Sequence, residues 1–328
     1  MTTAQDIDSA LNRIKRYIHK TPIITSSFLN HQLGHDVFFK VEAWQKVGAF
    51  KARGGFNSVA HLIEQKKSPK RIIANSSGNH AQAIAWAAQQ FNIPATIYAP
   101  QNISKVKARA TLHYGASLEL IETRTGVDDA VAAAAEENGV YWIPPYNHPD
   151  VIAGQGTAAR EALTQLENVD AVFAPCGGGG LLSGTLVAFR AHSPDSNVFG
   201  VEPLLANDAA ESLRQGHIVK LAQPSSTLAD GARTPSVGIL TFPHLQQLDD
   251  FFEAPEEAII YWTQWLTHLL KVTLEPTSAM AMFGVTEWLK TQKSKKRILV
   301  ILSGGNIDQG TRHAIWENDF LDKLPKEL

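Results

Sequence analysis

Between residues 71 and 143 short apolar runs alternate with longer stretches of helical periodicity. RIIAN (71–75) reads as a strand, and HAQAIAWAAQQF follows with Ala81, Ile84, Ala85 and Ala88 on one helical face. Pro94 ends that helix, and ATIYAP (95–100) is the next strand. SKVKARATLHYGA predicts a helix closed near Gly115, SLELIE a strand, VDDAVAAAAEENG a helix ending at Gly139, and VYWI a strand. This β-α-β-α-β-α-β run predicts a small parallel sheet with helices on both faces.

A second series begins near residue 169. VDAVFAP and NVFGVEP read as strands around the helix LLSGTLVAFRAH, and KRILVIL (296–302) adds a strand close to the end. DVFFKVE (36–42) has strand composition but little beside it to pair with, so the first 69 residues are expected to join the later half. The reading is an α/β chain of two lobes, each an open, mostly parallel sheet flanked by helices. Residues 1–69 and 148–328 would form the larger lobe, with 70–147 inserted as the smaller. The N-terminus predicts a capped amphipathic helix through Ile7, Leu11, Ile14 and Ile18.

Composition narrows the function classes. The chain has 328 residues, 44% hydrophobic and 19% charged, as a globular protein should. Its formal net charge of −2, with both signs interspersed, favours neither nucleic acid nor an anionic membrane. A lone Cys176 excludes an internal disulfide, and the N-terminus lacks the apolar core of a signal peptide. The expectation is a cytoplasmic protein.

Three predicted strands run straight into glycine-containing turns: IIANSSGNH, VFAPCGGGG and VILSGGN. Open parallel sheets bind ligands at the carboxyl ends of their strands, so the three turns predict one cleft. Gly177, Gly178, Gly179 and Gly180, between a strand and a helix, offer unobstructed backbone N–H groups for a phosphate. Neither the P-loop nor the G-x-G-x-x-G pattern is present, although Glu202 stands where a ribose-binding acid would, which keeps a dinucleotide-dependent oxidoreductase in view. Lys51 lies among small or apolar neighbours, Ala49, Phe50, Gly54 and Gly55. A phosphate cradle, an isolated lysine and polar strand-end turns together suit pyridoxal phosphate, which needs an amine, phosphate donors and a ring-nitrogen partner.

GAFKARGG, SSGNHAQA, VIAGQGT, CGGGGLLSG, EPLLAND and LSGGN occur in the order and rough spacing of the serine/threonine dehydratase and serine racemase family. From about residue 10 to 310 the chain resembles these fold-type II pyridoxal phosphate enzymes, which are similar to the tryptophan synthase β-subunit. The resemblance implies Lys51 as Schiff-base lysine and Cα base, Phe50 beside the ring, and Asn79 at the cofactor's 3-oxygen. Gly177 to Gly180 would hold the phosphate and Ser303 would meet the pyridine nitrogen. Ser76, Ser77, Asn79 and His80 would surround the substrate, with Ser77 as the opposite-face acid/base of the racemases.

Glu202, Ala206 and Asp208 match the family's divalent-cation site, suited to Mg²⁺ and also to Ca²⁺ or Mn²⁺. Arg233, in ADGARTPSVG, is a cation near the expected substrate side chain; it is either structural or a reader of a second carboxylate. The implied activity is β-elimination of L-serine or L-threonine to a 2-oxo acid and ammonia. Serine racemase comes next, then 3-hydroxyaspartate dehydratase, with a non-catalytic cofactor-binding protein as the other class. A homodimer is the family expectation.

Overall fold

The computed structural model describes residues 1–101, 103 and 105–325. Its strands are β1 (Ile23–Thr25), β2 (Asp36–Val41), β3 (Arg71–Asn75), β4 (Ala95–Pro100) and β5 (Ser117–Ile121), then β6 (Val140–Trp142), β7 (Ala171–Pro175), β8 (Asn197–Pro203), β9 (Asp250–Ala254) and β10 (Arg297–Leu302). The helices begin with α1 (Ala4–Ile14), α2 (Ser27–Leu33), α3 (Lys51–Glu64), α4 (Asn79–Gln90), α5 (Lys105–His113) and α6 (Arg124–Ala135). They continue with α7 (Pro149–Ala162), α8 (Gly180–His192), α9 (Asp208–Gln215), α10 (Phe242–Leu245), α11 (Glu256–Leu270), α12 (Pro276–Ala279), α13 (Ala281–Leu289) and α14 (Gln309–Ile315). Ser104, where the α5 pattern starts in the sequence, lies outside the described residues.

Two sheets result. One has the order β5-β4-β3-β6 and is parallel throughout. The other has the order β1-β2-β10-β7-β8-β9 and is parallel except for β1 against β2. The missing partner of DVFFKVE is thus the last strand: β2 pairs with β10 from Asp36↔Arg297 to Val41↔Leu302.

Side-chain alternation explains the layers. In β3, Ile72 and Ala74 pack with Ala81, Ile84 and Ala85 of α4, whereas Ile73 meets Val131 and Ala134 of α6. Helices therefore cover both faces. In β10, Ile298 and Val300 join Trp262, Trp265 and Met282, while Leu299 and Ile301 face Leu182 and Phe189 of α8.

α4 departs from the single apolar stripe read in its sequence: residues 80 to 88 are all buried. Its second face is taken by α3, where a Cβ on Gly55 would stand 3.2 Å from that of Ala83. Similar contacts seat α7 against α3 and α8. A Cβ on Gly154 would lie 2.7 Å from the Arg53 carbonyl, and one on Gly184 would lie 2.5 Å from the Gly156 nitrogen. α1 is capped by Thr3 and Asp6, but it ends at Ile14, so the buried Ile18 lies beyond it. Among the described residues no helix is long and apolar enough to cross a membrane.

Candidate active site

Lys51 opens α3 after a strained approach. Val47 has φ 55° and Gly48 φ 70°, and left-handed backbone at a β-branched residue persists only where its surroundings impose it. The turn after β10 imposes it here. Phe50 N–H donates to the Ser303 carbonyl (2.9 Å), Gly305 N–H to Gly48 (3.0 Å), and Asn306 Nδ2 to Val47 (2.7 Å). Lys51 Nζ donates to the Pro145 carbonyl at 2.7 Å and lies 5.1 Å from the centre of the Phe50 ring. Burial pushes the Lys51 amine down to about 8, partly opposed by the Glu275 carboxylate.

The three strand-end turns meet around this lysine, lining a cavity of about 660 Å³. At the glycine turn, Gly179 takes φ 88°, and a Cβ on Gly178 would come within 2.3 Å of the Tyr146 ring. α8 starts at Gly180, so its first N–H groups lack intrahelical acceptors and favour an anion. Thr241 Oγ1 secures the turn by donating to the Gly178 carbonyl (2.8 Å).

At the second turn, Ser76 Oγ accepts from Gly78 N–H (3.1 Å). Ser77 lines the cavity, and Gly78 is the α4 N-cap without a side-chain cap. Asn79 Nδ2 donates to Glu275 (2.9 Å), and Asn79 Oδ1 accepts from Asn306 Nδ2 (2.8 Å). His80 Nε2 donates to the Ile143 carbonyl (2.8 Å), which leaves Nδ1 buried and unpartnered among the described residues. Burial, then the Lys51 charge, pushes His80 down to about 3, so its ring is neutral. Ser303, from the third turn, is buried with its Oγ 3.1 Å from that of Ser278.

Sequence reasoning misses Glu275. It is a buried carboxyl at the cavity wall, raised to about 7 by burial and by Asp230, against the pull of the Asn79 amide. Its sequence signal is slight: one acid in VTLEPTS, directly before the proline that opens α12. Arg233 does line the cavity, yet it is exposed, with Nε and Nη2 both donating to the Thr227 carbonyl (Nε at 2.7 Å).

These residues fit pyridoxal phosphate: an amine of lowered basicity, a side-chain-free anion cradle and a neutral hydroxyl share one cavity. Glu202 does not serve that cavity, which removes the ribose-binding reading. Its carboxylate instead accepts from Ala209 N–H (3.2 Å) and Ala210 N–H (2.7 Å) beside Asp208. Both acids are buried, and among the described residues neither Asp208 oxygen reaches a donor at hydrogen-bonding geometry. Burial raises both acids, Asp208 to about 7, and Asp208 raises Glu202 further. No group of three His, Cys, Asp or Glu able to hold a metal occurs among the described residues. Two buried carboxylates, Glu202 held by two backbone N–H groups and Asp208 beside it, with the neighbouring Ala206 carbonyl nevertheless fit a hard cation completed by water.

The profile of the pyridoxal-phosphate dependent enzyme family matches residues 14–304. L-threo-3-hydroxyaspartate ammonia-lyase of Saccharomyces cerevisiae is 44% identical, covering 93% of this chain and 94% of its own. Serine racemase of Schizosaccharomyces pombe is 40% identical, covering 94% of this chain and 95% of its own. The crystal structure of serine racemase from Dictyostelium discoideum aligns with a TM-score of 0.87 at 36% identity, over 94% of this chain and 99% of that one.

Proposed function

The chain belongs to the pyridoxal-phosphate dependent enzyme family, in its fold-type II architecture, and from that premise we propose an ammonia-lyase acting on β-hydroxy-α-amino acids. In such an enzyme the β-hydroxyl leaves as water, and a water molecule then hydrolyses the released enamine, through its imine, to a 2-oxo acid and ammonia. The observation that carries the reading is Lys51, a half-buried amine held at about 8 where three strand-end turns converge.

When bound, the cofactor withdraws electrons from the substrate Cα and so acidifies its proton. Lys51 would hold it, Gly177 to Gly180 and the first turn of α8 would take its phosphate, and Asn79, Ser303 and Phe50 would surround its ring. Displaced by the substrate amine, Lys51 would accept the Cα proton. An amine near 8 suits that task, because both its protonation states are populated close to neutral pH. The Pro145 carbonyl orients Nζ, and the neutral His80 adds no competing charge. Ser76, Asn79 and the N–H groups at the start of α4 would take the substrate carboxylate. Mg²⁺ or a similar cation would sit between Glu202, Asp208 and the Ala206 carbonyl.

A racemase reading also has support. Ser77 lines the same cavity, is not spent as a helix cap, and could return a proton to the face opposite Lys51. The test is to supply holoenzyme with L-serine, L-threonine and L-threo-3-hydroxyaspartate, and to quantify 2-oxo acid, ammonia and D-serine. Ammonia and 2-oxo acid in equal amounts are expected. D-Serine in excess over pyruvate would give the racemase reading precedence, and no product from any of the three would overturn both.

A further inference from the structure

A second cation, this one buried, faces the cavity, and proton abstraction at Cα has no use for it. Lys107, on α5, is only 9% exposed, lines the cavity and is ion-paired with Asp230. The pair joins separate parts of the fold. α5 packs on α4 and β5, at the four-stranded sheet, whereas Asp230 begins the short turn that leads to Arg233, beside α12. Lys107 is also close enough for its charge to act on Glu275 and Asp308.

Buried ammonium groups need carboxylate partners, because an unpaired one loses its hydration without replacement. Asp230 is such a partner, but its side chain keeps 30% of its accessibility at the cavity wall, so an incoming anion can reach the pair. Lys105 and Arg233 line the same wall, and Arg233 is already committed to the Thr227 carbonyl. Among the described residues four cations line the cavity, Lys51, Lys105, Lys107 and Arg233, against three carboxyls, Asp230, Glu275 and Asp308. One positive charge is left for a further acid.

Serine and threonine bring no second carboxylate. A 2-amino-3-hydroxy dicarboxylic acid does. We propose that Lys107 determines specificity for substrates carrying a side-chain carboxylate, which it binds by sharing or exchanging Asp230. This assignment rests on the ammonia-lyase reading for its substrate class, and it moves the reader of a second carboxylate from Arg233 at the rim to the buried lysine.

The experiment compares holoenzyme with Lys107→Gln, Lys107→Arg and Asp230→Asn. The ratio of kcat/KM for L-threo-3-hydroxyaspartate to that for L-serine should fall on the order of 100-fold in K107Q, as expected when a charge-assisted contact to the discriminating group is lost. K107R should restore most of that ratio. Succinate, which has two carboxylates and no amine, should bind the wild type, bind D230N more tightly and bind K107Q at least tenfold more weakly. An unchanged ratio in K107Q, or succinate affinity indifferent to both residues, overturns the assignment. Lys107-dependent succinate binding without turnover of either amino acid would instead refute the ammonia-lyase reading and leave the carboxylate site standing.

Discussion

Lys51 and Arg53 lie two residues apart at the start of α3, and the fold treats them in opposite ways. Arg53 is fully buried and fully paired: Nε and Nη2 reach Glu42 at 2.7 and 2.8 Å, and Nη2 reaches Glu161 at 3.0 Å. Lys40 binds Glu161 at 2.5 Å, and Thr21 Oγ1 donates to Glu42 at 2.6 Å. Burial alone would raise Glu42, yet the Arg53 guanidinium and its hydrogen bonds carry it below its ordinary value. Among the described residues Lys51 has a single carbonyl as hydrogen-bond partner, and burial wins there. The lesson concerns distribution more than amount of charge. The paired cluster holds α3 to β2 and α7, while the under-paired site next to it keeps its proton exchangeable.

The largest effect should come from breaking the paired cluster. Arg53→Met leaves Glu42 without its main partner and Glu161 with Lys40 alone, and it should cost about 3–5 kcal/mol in urea unfolding. Activity per folded molecule should change far less. A variant as stable as the wild type would show that the cluster does not secure α3.

Asp208 tests whether a second under-paired site awaits a cation. Mg²⁺ at about 100 times its dissociation constant should stabilise the metal-free protein by about 2.7 kcal/mol. In thermal melts Asp208→Asn should abolish most of that gain. Equal stabilisation of both proteins would place the cation elsewhere.

Glu275 gives the smallest effect and the sharpest sign. Its folded value, about 7, stands above the ordinary 4.5, so the folded chain holds this proton more tightly than the unfolded chain. That contribution is fully present below pH 4.5 and is lost as pH rises through 7. Relative to wild type without cofactor, Glu275→Gln should therefore gain about 2 kcal/mol between pH 5 and pH 8. A constant difference across that range would mean that Glu275 is already ionised at pH 5.

The same contrast governs what can be read in the sequence. The four-stranded sheet is legible because its strands are short and apolar and its helices end near Pro94, Gly115 and Gly139. Local signals also reach the three glycine turns and Lys51, whose small neighbours stand beside it in the chain. β1, β9, α7 and α11 escape the reading, and α11 buries Tyr261, Trp262 and Trp265, so no polar stripe marks it out. Glu275 escapes for a different reason. Asn79, its amide partner, is 196 residues away, and only the folded chain brings them together. The Lys107–Asp230 pair, 123 residues apart, is hidden in the same way.

The most direct test of the central claim is to load the protein with pyridoxal phosphate, reduce it with borohydride and map the modified peptide by mass. The account predicts a single phosphopyridoxyl group, carried by Lys51 and lost in Lys51→Ala, with the folded structure retained. A modification on another lysine, or none on a protein that remains folded, would contradict it.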